Sequence, residues 1–351
     1  MVVGEDGSLP LPWLARPLAQ ALASQRGHAL LLHAAPGAGA LPFALVLAQA
    51  WLCEALPPGV APQAPCGRCA SCRMFHSHLH PDLLVLLPET LRREYEWPLV
   101  DDKPDGDEGK RKPSRQIRIP EARLLVDWVC KTSSRGRGKV VLLHPAEALN
   151  LHSANALLKT LEEPPPGTRL LLTAADPAVL LPTVRSRCQN LVLPLPDLAQ
   201  AAQWLRGQGV DSPEVLLAAC SGRPLDALAL VRAGVDAQAW SALPASVARG
   251  HVAAFAGWPM PLVLDALHKL CHDAMARAAG AAARFFPNDR VSATADLVSL
   301  MAWQRELARV ARHDEHPWNE GLLLDALVTA GAAALTRSGN AQGTGLDTLA
   351  R

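Results

Sequence analysis

The 351-residue chain is 49% apolar and 19% charged, the balance of a globular protein long enough for two or three domains. Its net charge of +1 gives no global electrostatic reason to bind nucleic acid or a membrane surface. No run of about 18 residues lacks both charge and proline, and Met1-Val2-Val3-Gly4-Glu5-Asp6 lacks the basic-then-apolar order of a signal peptide, so a cytoplasmic chain without a membrane span is expected. Eight cysteines in a reducing compartment then argue for metal ligands and buried thiols, not disulfides.

Leu14, Leu18 and Leu22 fall on one face and predict a helix over 13–26. Ala29-Leu30-Leu31-Leu32-His33 reads as a buried strand. It runs into Ala35-Pro36-Gly37-Ala38-Gly39-Ala40-Leu41, and an apolar helix follows over 42–55, with Pro42 tolerated in its first turn. Strand, glycine loop and helix in this order are the frame of a P-loop fold. Residues 56–80 show no periodicity. Leu83-Leu84-Val85-Leu86-Leu87 is a second buried strand. The segment 93–116 contains Asp101-Asp102-Lys103-Pro104-Asp105-Gly106-Asp107-Glu108-Gly109-Lys110-Arg111-Lys112, too polar to bury itself, and is expected to be a mobile surface insertion. Helices over 120–132 and 151–163 alternate with strands at Val140-Val141-Leu142-Leu143, Leu170-Leu171-Leu172-Thr173 and Leu191-Val192-Leu193. Such alternation implies a parallel α/β sheet. Strand signals cease after Pro194-Leu195-Pro196, and the rest is alanine- and leucine-rich helix, with frayed residues expected over 338–351.

Two overlapping Cys-x-x-Cys pairs share Cys69 in Cys66-Gly67-Arg68-Cys69-Ala70-Ser71-Cys72. The tight turn at that spacing brings two thiolates onto one zinc ion at about 2.3 Å. A closed tetrahedral site needs a fourth ligand. Cys53, at the end of the predicted helix, is the first candidate, and His76, His78 and His80 are rivals. Four sulfurs leave no open position, so the expected cofactor is structural Zn²⁺ without a catalytic role. Cys130, Cys188, Cys220 and Cys271 lie in apolar contexts and read as core thiols.

A working phosphate loop reads G-x-x-x-x-G-K-[ST]: amides cradle phosphates, the lysine neutralises them and the hydroxyl holds Mg²⁺. Here Ala34 stands at the first glycine, Gly37 and Gly39 remain, Ala40 replaces the lysine and Leu41 the hydroxyl. Pro42 removes a further amide. The strand Val140–Leu143 ends in His144-Pro145, where P-loop ATPases carry Asp-Glu for metal and water. Glu147 lies two positions off that register and reads as a surface carboxylate. Neither ATP binding nor hydrolysis is expected.

Ser153-Ala154-Asn155-Ala156-Leu157-Leu158-Lys159-Thr160-Leu161-Glu162-Glu163-Pro164-Pro165 resembles the motif shared by bacterial clamp-loader subunits, and Thr183-Val184-Arg185-Ser186-Arg187-Cys188 resembles their Ser-Arg-Cys motif. His80-Pro81-Asp82 fits as well. With the cysteine insertion and the stripped loop, the chain is similar to the delta-prime family of DNA polymerase III clamp-loader subunits, well over 10–235 and only in helical character beyond.

The resemblance implies an AAA+ domain over 1–195, carrying a zinc module at 53–80 and the charged insertion at 93–116. A small helical lid over 196–235 and an all-α collar over 236–351 follow. It implies a non-ATPase member of a hetero-pentamer with ATPase (gamma/tau) and delta subunits, which opens the ring-shaped sliding clamp and loads it on primed DNA. It makes Arg187 an arginine finger acting in trans, with Arg185 the alternative. Arg223 lies where lids carry a sensor arginine, but reads as a helix start, and Thr173 sits at the sensor strand end. The 93–116 insertion and the Cys53-x12-Cys66 spacing depart from the family pattern. Two other readings stand beside this one. A gamma/tau-type ATPase subunit would need Lys-Ser/Thr in the loop, and a free-standing zinc-dependent nucleic-acid-binding protein would need a basic face.

Overall fold

The computed structural model describes residues 1–24, 27–55, 57, 63–98, 113–312 and 319–336. The chain divides into two compact units, Met1–Pro196 and the part from Asp197 onward.

The first unit is built on five parallel strands: β1 (Ala29–Ala34), β2 (Leu83–Leu86), β3 (Lys139–Leu143), β4 (Thr168–Ala174) and β5 (Gln189–Leu193). Their order is β2-β3-β4-β1-β5. The register pairs Leu30 with Leu171 on one side and with Gln189 on the other. All strands being parallel, their C-terminal ends share one edge of the sheet. β3 is buried at every position, because helices cover both faces. Around the sheet lie α1 (Ala15–Ser24), α2 (Ala40–Leu52), α3 (Ala70–His76), α4 (Glu89–Glu94), α5 (Ile119–Val129), α6 (Leu151–Glu162) and α7 (Pro182–Arg185). α2 is buried on nearly every residue from Leu41 to Leu52, so its all-round apolar sequence is that of a central helix, not of an amphipathic surface one. The α6 start is fixed by Asn150, whose side chain accepts from the Ser153 amide at 2.9 Å.

The flanks of the segment expected to be mobile are built into this unit. Trp97 is 7% exposed and stacks on His78 at 4.0 Å. Glu89 accepts from the Ser114 amide at 3.0 Å and pairs with Arg93 and Arg118. The strongly charged stretch between them, 99–112, lies outside the described residues.

The second unit holds α8 (Leu198–Gly207), α9 (Pro213–Ala219), α10 (Pro224–Arg232), α11 (Ala237–Ala248), α12 (Met260–Ala278), α13 (Leu297–Ala311) and α14 (Glu320–Thr336). No strand occurs among its described residues. One apolar core runs through it from Ala201 to Leu335 and includes the fully buried Trp240. Asp197, Asp236 and Asp296 cap α8, α11 and α13. Residues 313–318, with His313, His316 and Trp318, and the segment 337–351 lie outside the described residues.

Candidate functional site

Parallel topology gathers three sequence-flagged positions at the C-terminal edge of the sheet: the glycine loop after β1, His144 after β3 and Thr173 in β4. The loop keeps its turn. Gly37 and Gly39 have φ of +71° and +99°, a region open to glycine, and the Ala38 amide reaches the Ala35 carbonyl at 3.1 Å. The side chains around it face inward. Ala38 and Leu41 are 0% and 3% exposed, and the Trp13 indole donates to the Ala38 carbonyl at 2.9 Å. His144 Nδ1 lies 2.6 Å from Thr173 Oγ1, so the side chains at the ends of β3 and β4 engage each other. Burial lowers the His144 pKa to about 4, keeping the ring neutral. Glu147 Oε1 accepts the Ala175 and Asp176 amides at 2.5 and 2.9 Å, bracing the turn after β4.

The other end of α2 is chemically different. Thirteen residues carry this helix about 20 Å away from the loop, to the strand-start edge of the sheet. There Cys53, Cys66, Cys69 and Cys72 bring their sulfurs within 4.8 Å of one another, so that the four could hold a metal ion. Cys53 Sγ lies 3.9 Å from Cys69 Sγ, and Cys66 Sγ 4.0 Å from Cys72 Sγ. A tetrahedron with metal–sulfur bonds of about 2.3 Å has edges of about 3.8 Å, so the donor set fits a closed tetrathiolate. Cys69 caps α3, accepting from the Cys72 amide at 3.3 Å, and the Cys69 amide donates to Cys66 Sγ at the same distance. Burial pushes the Cys53 and Cys72 thiols up. Burial would raise Cys66 too, but the Arg68 and Cys69 amides and the Cys53 and Cys69 thiols outweigh it and bring it down to about 7. Four thiolates in one place need a cation between them.

The surroundings hold the knuckle rigidly. Gly67 has φ +73°, and a Cβ there would lie 1.8 Å from the Gly4 carbonyl oxygen. The Val3 amide in turn donates to Gln49 Oε1 on α2 at 2.9 Å. His80 spends both ring nitrogens within the protein. Its Nδ1 accepts the Asp82 amide at 3.1 Å, so Nε2 carries the proton toward Ser71 Oγ at 2.8 Å, and Ser71 donates to the Leu52 carbonyl at 2.6 Å. His78 stacks on Trp97, and His76 is exposed at the end of α3. Asp82, wholly buried, accepts Ser133 Oγ and the Ser134 and Arg135 amides at 3.0, 2.7 and 2.9 Å. Arg135 pairs with both oxygens of Glu54 at 2.5 and 2.9 Å, next to Cys53. The sequence marks Asp82 only as part of the His80-Pro81-Asp82 match and does not mark Arg135; a carboxylate beginning an apolar strand is the signal for the buried role of Asp82.

Arg187 also sits at the strand-start edge, just before β5. Its Nη1 donates to the Thr183 carbonyl at 2.9 Å, and Nε and Nη2 donate to Glu162 Oε2 at 3.4 and 3.1 Å. β1, six residues long, separates this edge from the chain's own glycine loop by about 20 Å. Arg185 Nη1 lies 3.5 Å from the Pro177 carbonyl. Arg223 caps the start of α10 and pairs with Asp226 at 2.5 Å, a structural helix start. The expected core thiols divide. Cys220 and Cys271 are buried and Cys188 is half-buried, but Cys130 is exposed, because it falls on the outer side of the α5 C-terminus.

Residues 13–197 match the family described as DNA polymerase III, delta subunit. The chain is 39% identical over 232 residues to DNA polymerase III subunit delta′ of Pseudomonas aeruginosa, covering 63% of each protein. It is 33% identical over 280 residues to the delta′ subunit of Escherichia coli K12, covering 74% of this chain and 76% of that one. It also matches the tau subunit of the same organism, 32% identical over 178 residues, covering 51% of this chain and 23% of tau. The match thus spans less than two thirds of the Pseudomonas relative's own length. With the family match over more than half of the chain and these named relatives, the protein belongs to the DNA polymerase III delta-prime family.

Proposed function

We propose that the protein is a non-ATPase clamp-loader subunit that joins ATPase (gamma/tau-type) and delta subunits to load the sliding clamp on primed DNA in the cytoplasm. The observation that carries this reading is the pair of opposed edges in the first unit. The loop that holds phosphate in P-loop proteins has no lysine or hydroxyl here, and His144 and Thr173 at the same edge are bonded to each other. The opposite edge presents an arginine. Arg187 is too far from the chain's own loop to serve it, so its target is a nucleotide held by a neighbouring subunit. A guanidinium is permanently charged and planar, and pairs bidentately with phosphate oxygens. Arginine fingers supplied in trans raise rates by about 10³–10⁵ in characterised GTPases.

Residues 1–195 serve as the AAA+ domain, 196–235 as its lid and 236–351 as the oligomerising collar. Cys53, Cys66, Cys69 and Cys72 hold structural Zn²⁺, which when bound ties the end of α2 to the knuckle. The tau match leaves an ATPase subunit as the second reading, and the loop chemistry disfavours it.

Two measurements test the reading. The purified chain is expected to show no saturable ATP binding; micromolar affinity would return the ATPase reading. In the complex assembled with its ATPase subunits, Arg187→Ala is expected to lower clamp- and DNA-stimulated hydrolysis at least about 100-fold, scaled from known fingers. Unchanged hydrolysis in a correctly assembled complex removes the finger.

A further inference from the structure

A guanidinium offers five N–H groups. Arg187 commits Nε and one N–H of Nη2 to Glu162, and one N–H of Nη1 to the Thr183 carbonyl. The second N–H on each terminal nitrogen has no acceptor among the described residues, and the side chain is 29% exposed. The arginine is thus held from within its own unit while two donors remain for an incoming oxygen. We propose that Glu162 is a positioning residue for Arg187, holding the guanidinium in place before a neighbouring subunit's triphosphate arrives. This rests on the reading of Arg187 as a finger.

Stability alone does not account for the pair. The Glu162 side chain is 59% exposed, and ion pairs so open to water add little to folding. The carboxylate also sits on the last residue of α6, where the helix dipole disfavours negative charge. A nearby cation offsets that cost, and Arg187 is the cation in contact. The same residues keep the finger from wandering. A free arginine side chain loses several rotamers when it docks on phosphate, and one already held by Glu162 and Thr183 has lost them on folding. The α6 end is itself anchored, since His28 Nε2 lies 2.7 Å from the Leu161 carbonyl at the foot of β1. Glu162 therefore fixes Arg187 to the sheet edge.

The test is steady-state ATP hydrolysis by the complex assembled with its ATPase subunits, stimulated by clamp and primed DNA. Glu162→Ala is expected to lower kcat about tenfold, to leave KM for ATP within about twofold, and to leave the thermal midpoint of the chain unchanged. Glu162→Gln, which keeps the shape and one acceptor oxygen but loses the charge, is expected to fall between. In an Arg187→Ala background, Glu162→Ala is expected to add no further loss. An unchanged or raised kcat in Glu162→Ala, with Arg187→Ala still damaging, overturns the positioning role and leaves the finger standing. An equal loss from Glu162→Ala in the Arg187→Ala background also overturns it, because the effect then bypasses the arginine. No effect of Arg187→Ala overturns the finger and the positioning role together.

Discussion

The two ends of α2 set a stripped site against a complete one. At its N-terminus Gly37 and Gly39 preserve the turn of a phosphate loop, yet Ala40, Leu41 and Pro42 stand where charge, hydroxyl and amide are needed. At its C-terminus four sulfurs lie within 4.8 Å, with amides aimed at two of them. Backbone shape alone supplies the turn, and ligand chemistry needs the donor side chains as well. The four sulfurs that could hold a metal ion lie at the strand-start edge, as Arg187 does, and the contrast can be broken at either end.

The largest effect is expected from the sulfurs. Wild type is expected to carry one zinc per chain by elemental mass spectrometry, and Cys72→Ser to carry none. Structural zinc contributes about 10–16 kcal/mol in isolated fingers. In this larger unit a loss of at least about 3 kcal/mol in denaturant unfolding is expected, since α2 and the sheet retain their own core. Cys130→Ser, at an exposed thiol, should change neither quantity. A Cys72→Ser protein with full zinc content and wild-type stability would break the comparison at its metal end.

Asp82→Ala comes next. The wholly buried carboxylate holds two amides and a hydroxyl, and its loss leaves those donors without an acceptor beside the knuckle. About 3 kcal/mol is expected in urea unfolding. A cost under about 1 kcal/mol would mean that the loop at 133–135 finds other partners.

The C-terminal edge of the sheet has a pH signature. His144 has a folded pKa of about 4, against about 6.5 for an ordinary histidine, because burial disfavours its charged form. Between those values the unfolded chain takes up a proton that the folded chain does not. Stability is therefore full above about pH 6.5 and falls by at most about 3 kcal/mol as pH drops toward 4. His80 shifts in the same direction, so the two are separated by comparing wild type with His144→Gln. The variant should show a shallower fall in denaturation midpoint over that range, and equal slopes would place His144 in a wetter setting.

Much of this was legible before the structure. The inner strands appear in sequence as apolar runs because a parallel sheet covered on both faces needs no alternation, and Val140–Leu143 shows it most plainly; β5, at the sheet edge and largely exposed, shows only its Leu191-Val192-Leu193 end. α3 was not legible: seven residues ending in His76 carry no apolar period, and the helix starts where Cys69 caps it. The flanks of 93–116 were misread, since Trp97 and Ser114 are fixed by residues distant in sequence. The cysteines could be nominated from spacing, but the exclusion of His80 depends on Ser71 and Asp82 meeting it in space. The bond from His144 to Thr173 joins the ends of two neighbouring strands, and the grip of Glu162 on Arg187 joins a helix end to a turn; no local pattern encodes either.

The smallest effect expected is also the most direct probe of the stripped edge. Ala40→Lys restores the missing cation at the first residue of α2. A lysine there meets the positive end of the helix dipole and should cost only a few tenths of a kcal/mol. It should not restore turnover. Leu41, 3% exposed, still fills the hydroxyl position with packed apolar surface, and Pro42 still lacks its amide. Across the edge His144 remains neutral and bonded to Thr173, leaving no carboxylate to hold Mg²⁺ at that position. A fluorescent-nucleotide titration with a phosphate-release assay checks both halves. ATP turnover by Ala40→Lys alone would mean that one charge separates this edge from activity, and the contrast between the two ends of α2 would shrink to a single residue.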